Sequence, residues 1–298
     1  MSNQYPLVVS GASGKLGQKV INNLLSVLNV PADQIIALTR TPEKLNELSA
    51  KGVQVRKADF DDPASLETAF AGGKRLLIIS TDALDAPGRR LQQHINAIQA
   101  AEKAGVAHVL YTSMPKPEGS ALMIAPDHEK TEQAVKASNM SWTIVRNNWY
   151  FENIFLDIHH VLASGIMMTA AGQGKTANIA HDDCALGAAT ALAADDFSNK
   201  TYTLTGAQAF TTDEMAALIS EATGKAINVV HVNDEEKIAG MVQAGLPEPV
   251  ARVFESFDTN TRNGGVEEVT ADFETLTGRK PIAYGDWLVA MKDALLNA

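Results

Sequence analysis

Three glycines follow a short apolar run near the start of the chain, in the segment Ser10-Gly-Ala-Ser-Gly-Lys-Leu-Gly17. Glycine permits a sharp turn at Gly11, a close backbone approach at Gly14 and tight packing of a following helix at Gly17. The free N–H groups and the positive end of that helix would suit a phosphate. The spacing differs by one residue from the dinucleotide-binding G-x-G-x-x-G, yet its place between a strand and a helix favours a pyrophosphate loop over an ordinary glycine-rich turn.

The end of the next apolar run carries Thr39 and Arg40, and the first acid after them is Glu43. An NAD site would place an acid here to hold the ribose hydroxyls, whereas an arginine can bind the additional phosphate of NADP through two parallel hydrogen bonds. The sequence therefore predicts NADPH as the cofactor, with NADH as the weaker alternative. A solvated charge at a helix start remains the other interpretation of Arg40.

The elements that would position these residues alternate over residues 1–150, where short β-branched runs are separated by helical patterns. This alternation is typical of a parallel sheet covered on both faces. Capping residues before prolines, at Thr41 and Asp62, mark two of the helix starts. Strands are predicted at Tyr5–Ser10, Gln34–Thr39, Val53–Ala58, Arg75–Ser80, His108–Ser113 and Trp142–Arg146, with helices starting near Gly14, Pro42, Pro63, Gly88 and Asp127.

After Tyr150 helical patterns dominate. The predicted order is a helix at Trp149–Ser164, a glycine-rich turn at Ala170–Gly174, a helix at Asp182–Ala194, a strand at Thr201–Leu204, a helix opened by Thr212-Asp-Glu, and a strand at Ile227–Val232. We therefore expect an α/β fold: a Rossmann-type doubly wound parallel sheet over residues 1–150 and a smaller, mainly helical C-terminal lobe over 151–298. Segments within about 166–206 are expected to return to the large domain.

Composition excludes several classes of protein. The chain has 298 residues, of which 45% are hydrophobic and 20% charged, so it is neither disordered nor fibrous. Its net charge of −10 repels nucleic acid and anionic lipid. The longest uncharged stretch, Ile158–Gly174, contains polar residues and is shorter than the roughly 20 apolar residues of a membrane span. We expect no nucleic-acid or membrane partner, and the sequence leaves a homodimer possible.

Cysteine and histidine usage points away from disulfides and metals. The single cysteine, Cys184, fits a reducing cytoplasm, and the segment Met1–Pro6 has no basic region typical of a secretory signal. The run His181-Asp-Asp-Cys184 resembles a metal cluster, but neighbouring residues of a helix project to different faces. The pair His159-His160 has the same difficulty. The sequence predicts no metal site, and Met167-Met168 is interpreted as core filler.

Several segments together resemble the NmrA-like atypical short-chain dehydrogenases. They are the Gly11–Gly17 loop, Thr39–Leu45, Ala58-Asp-Phe60, Tyr111-Thr-Ser113 and above all Arg146-Asn-Asn-Trp-Tyr-Phe-Glu-Asn153. Within that family the resemblance is strongest to the bacterial NAD(P)H:quinone oxidoreductase branch and to related triphenylmethane-dye reductases. It extends to Ala170–Lys175 and Tyr202–Gly206, and so covers essentially the whole chain.

The resemblance implies a role for each matching residue. The pyrophosphate would be held by Gly11, Ala12, Ser13, Gly14, Lys15, Leu16 and Gly17. Arg40 would hold the adenosine phosphate, Asp59 and Phe60 would flank the adenine, and Ser80 and Thr81 would line the ribose. The remaining cofactor residues, near the nicotinamide and the substrate, would be Ser113, Asn147, Asn148, Trp149, Tyr150, Glu152 and Asn153.

One departure from the family pattern bears on the chemistry. Typical members use Tyr-x-x-x-Lys, with tyrosine as the proton donor, but the aligned positions here hold Ile124 and His128. Reducing a ketone gives an alkoxide about as basic as hydroxide (~15.7), which needs a placed acid. A quinone gives a phenolate-like oxygen whose conjugate acid has a pKa near ~10. The absent tyrosine therefore favours a quinone or a cationic dye as the acceptor.

Two residues are candidates for catalytic roles. His128 could be a weak proton donor, or equally a histidine at a helix start that binds a backbone or ribose group. Tyr150, beside Trp149, offers a flat face for stacking an aromatic ring. The alternative is that the aromatic residues of this segment form the buried apolar face of a helix, and we favour this interpretation for Phe151 and Phe155.

Two functions remain. The first is an NADPH-dependent reductase that transfers hydride to a quinone or a similar planar aromatic acceptor. The second is an NADP(H)-binding redox sensor without turnover, which the loss of the tyrosine would also permit. The pair Trp149-Tyr150 favours the enzyme, because a sensor needs no aromatic surface beside the nicotinamide.

Overall fold

In residues 5–298, which this computed structural model describes, the strands are β1 (Leu7–Val9), β2 (Ile35–Thr39), β3 (Gln54–Lys57), β4 (Arg75–Ile78), β5 (His108–Ser113), β6 (Ser141–Asn147), β7 (Ile166–Thr169), β8 (Lys200–Leu204) and β9 (Asn228–His231). The α-helices are α1 (Lys15–Ser26), α2 (Asn46–Ala50), α3 (Pro63–Phe70), α4 (Arg89–Lys103), α5 (Ala125–Ala137), α6 (Ile158–Ser164), α7 (His181–Ala193), α8 (Thr212–Thr223), α9 (Asp234–Gln243), α10 (Glu248–Arg262), α11 (Asp272–Thr277), α12 (Tyr284–Ala290) and α13 (Lys292–Leu296). The expected absence of a secretory signal rests in part on residues 1–4, which lie outside the described residues.

The main sheet confirms the predicted Rossmann-type fold. Its order is β3-β2-β1-β4-β5-β6-β8, and every neighbouring pair of strands is parallel. The central strands β1, β2, β4 and β5 are buried along their whole length, as strands covered on both faces must be. The strand order reverses between β1 and β4, so a crevice opens beyond their carboxyl ends.

Helices cover the two faces of this sheet with separate apolar cores. On one face α1 packs against α7, with Val20, Ile21 and Leu24 among the fully buried side chains. On the other face α3, α4 and α5 pack together over a core that includes Phe70 and Tyr111. A third core lies in the C-terminal region, where α8 packs against α12 and β9.

The segment 166–206 contributes β8 to the main sheet and α7 to the helices that cover one of its faces. Strand β8 pairs with β6, with Val145 opposite Tyr202. The buried guanidinium of Arg75, on β4, donates hydrogen bonds to the carbonyl oxygens of Leu192 (2.8 Å), Ala191 (2.9 Å) and Asp196 (2.6 Å). Desolvation lowers the pKa of Arg75 to about 10. A cation at the last carbonyls of α7 is favourable and ties that helix to the sheet.

The structure corrects several predicted elements. The predicted helix at Trp149–Ser164 is wrong, because Phe151–Leu156 forms a 3-10 turn and Asp157 has a non-helical backbone before α6 begins. Met167 and Met168, interpreted as core filler, lie in β7, which pairs with β9; Met167 packs against the C-terminal core as expected, whereas Met168 is 40% exposed. Thr41 makes no capping hydrogen bond.

The remaining local predictions have mixed outcomes. Asp62 caps α3 by accepting the N–H of Ser65 (3.3 Å). Phe151 is buried in the C-terminal core, whereas Phe155 is 38% exposed, against the prediction that it is buried. No helix within residues 5–298 combines the length and the apolar character that a membrane crossing needs.

A close contact at Gly17 generates the first testable prediction. A Cβ at Gly17 would lie 2.3 Å from the carbonyl oxygen of Gly11 and 2.9 Å from the Cα of Ala12. We expect Gly17→Ala to destabilise the protein by about 1–3 kcal/mol, because rigid backbone has to move. The free energy of unfolding in urea, measured without cofactor, checks this.

The matched control is Gly285→Ala. This glycine also lies in a helix, α12, and a Cβ there meets no atom within 4 Å. We expect this variant to be neutral or up to about 1 kcal/mol more stable, because alanine is the better helix former. Equal stability of the Gly17 variant and the wild type would contradict the close contact.

Candidate active site

The loop between β1 and α1 presents a helix N-terminus at the switch point of the sheet. The chain turns at Gly11, whose φ of +60° lies in the left-handed region that favours glycine. The N–H of Ala12 donates to Leu38 O (2.9 Å) and that of Gly14 to Gly11 O (2.9 Å). The first N–H groups of α1, beginning with Lys15, have no intrahelical acceptor. N–H groups of this kind, at the positive end of a helix, suit an anion.

Ala12 contributes to this loop through its packing and its backbone hydrogen bond. Ala12 is fully buried, and its N–H is already used by Leu38. It therefore shapes the loop rather than presenting a donor. The hydroxyl of Ser13 hydrogen-bonds to the hydroxyl of Thr39 (2.9 Å), which links the loop to the end of β2 beside Arg40.

A cavity of about 560 Å³, here called the nucleotide cleft, lies along these strand ends. Arg40 is exposed in it and, among the described residues, forms no salt bridge. Arg89 also lines the cleft but is paired with Asp61 (2.6 Å) and Asp85 (2.6 Å). The predicted cofactor residues that line the nucleotide cleft are Gly11, Ser13, Gly14, Lys15, Leu16, Gly17, Arg40, Asp59, Phe60, Ser80 and Thr81.

A second cavity of about 460 Å³, here called the aromatic cavity, shares Ser80 with the nucleotide cleft. Its wall includes Trp149 and Phe257, whose ring centroids are 4.0 Å apart. Phe257 belongs to α10, so the C-terminal region completes this wall. The predicted residues that line the aromatic cavity are Ser80, Ser113, His128, Asn147, Asn148, Trp149, Tyr150 and Asn153.

Buried polar atoms without protein partners concentrate at these two cavities. Thr81 Oγ1 and Gln93 Oε1 belong to residues of the nucleotide cleft, and Arg90 Nη1 and Asn147 Oδ1 to residues of the aromatic cavity. None of the four has a hydrogen-bond partner within the described chain. Because buried polar groups are normally satisfied, these atoms fit a ligand that brings its own donors and acceptors. A dinucleotide in the nucleotide cleft and an acceptor in the aromatic cavity would together bring hydroxyl, phosphate, amide and carbonyl groups of that kind.

His128 is held in a form that cannot give up a proton readily. Its Nε2 lies 2.9 Å from Arg90 Nη2, and since arginine only donates, Nε2 accepts and the proton resides on Nδ1. Nδ1 then donates to the hydroxyl of Tyr111 (2.9 Å). Burial, followed by the charge of Arg90, lowers the pKa of His128 well below its ordinary value. This geometry favours the second interpretation of His128, a hydrogen-bonding role, over that of a proton donor.

Three residues of the 147–153 segment have structural contacts of different kinds. Asn147 donates to the hydroxyl oxygen of Tyr150 (3.1 Å), whose pKa is raised by burial. Asn148 lines the aromatic cavity, but its amide is used by Val266 O (3.0 Å) and the N–H of Trp149 (2.7 Å). One of the two amide hydrogens and one lone pair of the carbonyl oxygen of Asn148 are therefore used within the protein, and its cofactor role stays a prediction.

Glu152 lies outside the lining of both cavities. Its carboxylate accepts the backbone N–H of His181 (3.0 and 3.2 Å) at the start of α7. Asp182 pairs with Lys19 (2.5 Å) and Asp183 with Arg279 (2.9 Å), so each acid of this helix start has its own partner. In this structure the carboxylate of Glu152 serves as an acceptor at a helix N-terminus, and its cofactor role stays a prediction.

Ser113 is fixed by a buried ion pair at the ends of β5 and β6. Its hydroxyl donates to Glu132 (2.7 Å), which also accepts from Arg146 (2.8 and 2.7 Å). Glu132 and Ser113 are buried. This pair positions Ser113 against the aromatic cavity and leaves its hydroxyl committed to the carboxylate.

Sequence reasoning missed Arg90 and Phe257. Arg90 had a signal: Arg89-Arg90 opens α4, although cations are disfavoured at the positive end of a helix. Phe257 had none, because its contact with Trp149 joins residues far apart in the chain.

The fold and the paired cavities define an NAD(P)-binding oxidoreductase of the Rossmann class. The chain matches the NAD(P)H-binding family over residues 11–195, and it belongs to that family. This confirms the expected resemblance to the NmrA-like reductases and their quinone oxidoreductase branch.

Known relatives are similar over most of their length. A crystal structure of NADPH-dependent quinone oxidoreductase 2 from Escherichia coli with NADPH is 33% identical, with a TM-score of 0.90 and coverage of 95% of this chain and 99% of that one. Triphenylmethane reductase from Citrobacter sp. with NADP(H) is 36% identical, with a TM-score of 0.88 and coverage of 96% and 99%. An NAD(P)H azoreductase from Xenophilus azovorans is 30% identical over 82% of this chain and 83% of its own.

The Glu132–Arg146 pair generates a prediction with a pH signature. Burial would raise the pKa of Glu132, but hydrogen bonds from Arg146, Ser113 and Lys136 outweigh it and lower the pKa below 4.5. Because the folded-state pKa is depressed, the pair stabilises the protein at neutral pH, and this contribution is lost as the pH falls below about 4.5. We expect Glu132→Gln to cost roughly 3 kcal/mol at pH 7.

Urea unfolding at neutral and acidic pH tests this prediction. The stability difference between the wild type and the Glu132 variant should shrink as the pH falls. The control is Glu129→Gln on the same helix, whose carboxylate accepts only from exposed Gln133 (3.2 Å) and should change stability by less than about 0.5 kcal/mol. A difference that is independent of pH would count against the ion pair.

Proposed function

We propose that this protein is an NADPH-dependent reductase of planar aromatic acceptors, with quinones as the substrate class. The observation that carries the proposal is that Ser80 lines both cavities, of which one has a helix N-terminus and Arg40 and the other has an aromatic wall. The quinone, azo and triphenylmethane reductases among its relatives support the same chemistry.

Selection of NADPH over NADH rests on Arg40. Its guanidinium is exposed in the nucleotide cleft and is free to bind a phosphate bidentately, unlike Arg89, which two carboxylates engage. Lys15 and the first turn of α1 would hold the pyrophosphate, with Asp59 and Phe60 beside the adenine. When bound, NADPH supplies the hydride.

The acceptor would lie in the aromatic cavity against Trp149 and Phe257. Flat aromatic faces bind a planar ring through dispersion and electrostatic complementarity. Asn147 Oδ1, which lacks a partner among residues 5–298, would accept a hydrogen bond from the nicotinamide amide or from the acceptor. Holding donor and acceptor in contact is the main contribution of such a site to the rate.

The acid groups of the aromatic cavity are poorly suited to protonating an alkoxide. His128 is neutral and engaged at both ring nitrogens, and burial raises the pKa of Tyr150. A quinone needs no such acid, because its reduced oxygen is only about as basic as tyrosine, near ~10. The buried thiol of Cys184 and the use of NADPH fit a reducing compartment, for which we propose the cytoplasm.

Turnover with different acceptors tests the function. We expect NADPH oxidation, followed by its absorbance, to accelerate with p-benzoquinone and not with simple secondary alcohols or ketones. No acceleration with any quinone, azo compound or dye, combined with tight NADPH binding, would favour the redox sensor instead.

The role of Arg40 is tested by Arg40→Ala. Loss of a hydrogen-bonded ion pair with phosphate costs about 1.5–3 kcal/mol, so the KM for NADPH should rise roughly 10- to 100-fold. The KM for NADH should change little, because NADH lacks that phosphate. The matched control is Lys44→Ala, an exposed cation of the same loop outside the nucleotide cleft. A parallel loss with both cofactors would overturn the assignment.

A further inference from the structure

Arg90 is a buried cation for which the protein provides no charged partner. It lies in the first turn of α4 and is 5% exposed. Its Nε donates to Thr81 O (2.6 Å) and its Nη2 to His128 Nε2 (2.9 Å). Nη1 has no partner, and no carboxylate within the described residues forms a salt bridge with Arg90. A buried charge is costly unless an opposite charge or a hydrogen-bonding ligand meets it.

The groups around Arg90 leave its positive charge unopposed. His94, whose Nε2 accepts the N–H of Thr81 (3.0 Å), has a pKa lowered to about 3, mainly by burial and further by Arg90. His128 is neutral for the same reasons. Lys237, the other ammonium or guanidinium group of the aromatic cavity, is paired with Asp258. Of the arginine and lysine side chains that line this cavity, only Arg90 therefore lacks a carboxylate partner; the carboxylate of Asp157 also lines the cavity, and burial raises its pKa.

The position of Arg90 places its positive charge where the two cavities meet. Arg90 lines the aromatic cavity together with Ser80, which also borders the nucleotide cleft. Its hydrogen bond to Thr81 O fixes the guanidinium to the end of β4. A rigid cation at this junction is prearranged for negative charge that develops during hydride transfer, and such prearranged electrostatics is an effective way to lower a barrier.

We propose that Arg90 stabilises the oxyanion formed on the acceptor and so selects acceptors that become more negative over cationic ones. This rests on the proposed reductase function. A quinone takes one hydride, that is two electrons and one proton, from NADPH, which becomes NADP⁺. The product is a hydroquinone monoanion, which then takes one proton from water. Arg90 contributes during the first step, when charge accumulates on the quinone oxygen.

A cationic triphenylmethane dye undergoes the opposite change of charge. The hydride forms a C–H bond at the central carbon, and the positive charge of the dye disappears without an oxyanion. A fixed cation therefore offers nothing to the product and repels the substrate. The two acceptor classes thus separate a charge effect of Arg90 from a general effect on folding or on cofactor binding.

The experiment compares Arg90→Gln and Arg90→Lys with the wild type. We expect Arg90→Gln to lower kcat for p-benzoquinone about 100-fold, as loss of an oxyanion donor does in other enzymes. Its rate with a cationic triphenylmethane dye should be unchanged or higher, and its Kd for NADPH should stay within about threefold. Arg90→Lys, which keeps the charge, should recover part of the quinone rate. The control for net charge is Lys103→Gln, at the exposed end of the same helix.

A second measurement needs no turnover. We expect wild-type protein with NADP⁺ to lower the pKa of bound para-nitrophenol, a phenolate that absorbs visible light, and Arg90→Gln to abolish that shift. Equal loss of quinone and dye reduction, or weakened NADPH binding in Arg90→Gln, would overturn the proposal. A wild-type protein that reduces no acceptor would instead refute the proposed function, whether or not para-nitrophenol reports an anion site at Arg90.

Discussion

The contact between α1 and the loop after β1 determines where everything else in the site can lie. With an added Cβ at Gly17 only 2.3 Å from Gly11 O, no larger residue fits without moving backbone. The helix N-terminus is therefore held directly over the carboxyl end of β1. Since β4 is the neighbour of β1 across the switch point, Ser80 and Thr81 face the same crevice. One close approach of backbone to backbone thus aligns the anion site with both cavities.

The second constraint on the site is electrostatic, because the net charge of the protein has the same sign as that of the dinucleotide. A net charge of −10 disfavours an anionic dinucleotide at long range. Binding must then come from local cations, and the structure provides them in two different ways. Arg40 is exposed and can close on a phosphate, whereas Arg90 is buried and held by Thr81 and His128. An exposed, adaptable cation such as Arg40 suits the capture of a ligand from solution. A fixed cation such as Arg90 suits the proposed stabilisation of charge at the reacting atoms.

The parts predictable from sequence are those set by local pattern. The sequence predicts β5 at His108–Ser113, where it is found, because β-branched and aromatic residues such as Val109 and Tyr111 favour a strand between two helical patterns. The break before α6 and the pairing of β7 with β9 depend on contacts distant in sequence, which periodicity cannot reveal. The same holds in the candidate site. The resemblance indicated the segment 147–153, but only the fold shows that the amide of Asn148 and the carboxylate of Glu152 are used structurally.

The replacement of a lysine by His128 and the presence of Arg90 belong to one electrostatic arrangement. The resemblance assigns a lysine to position 128, and here a neutral imidazole stands there with the guanidinium of Arg90 2.9 Å away. The cation is thus retained near that position, but on a different helix and in a form that does not release its proton, since arginine stays charged in proteins. Such a group can stabilise an oxyanion electrostatically, but it cannot protonate it. Under the proposed function, such a site suits acceptors whose reduced oxygen is stable as an anion until water protonates it.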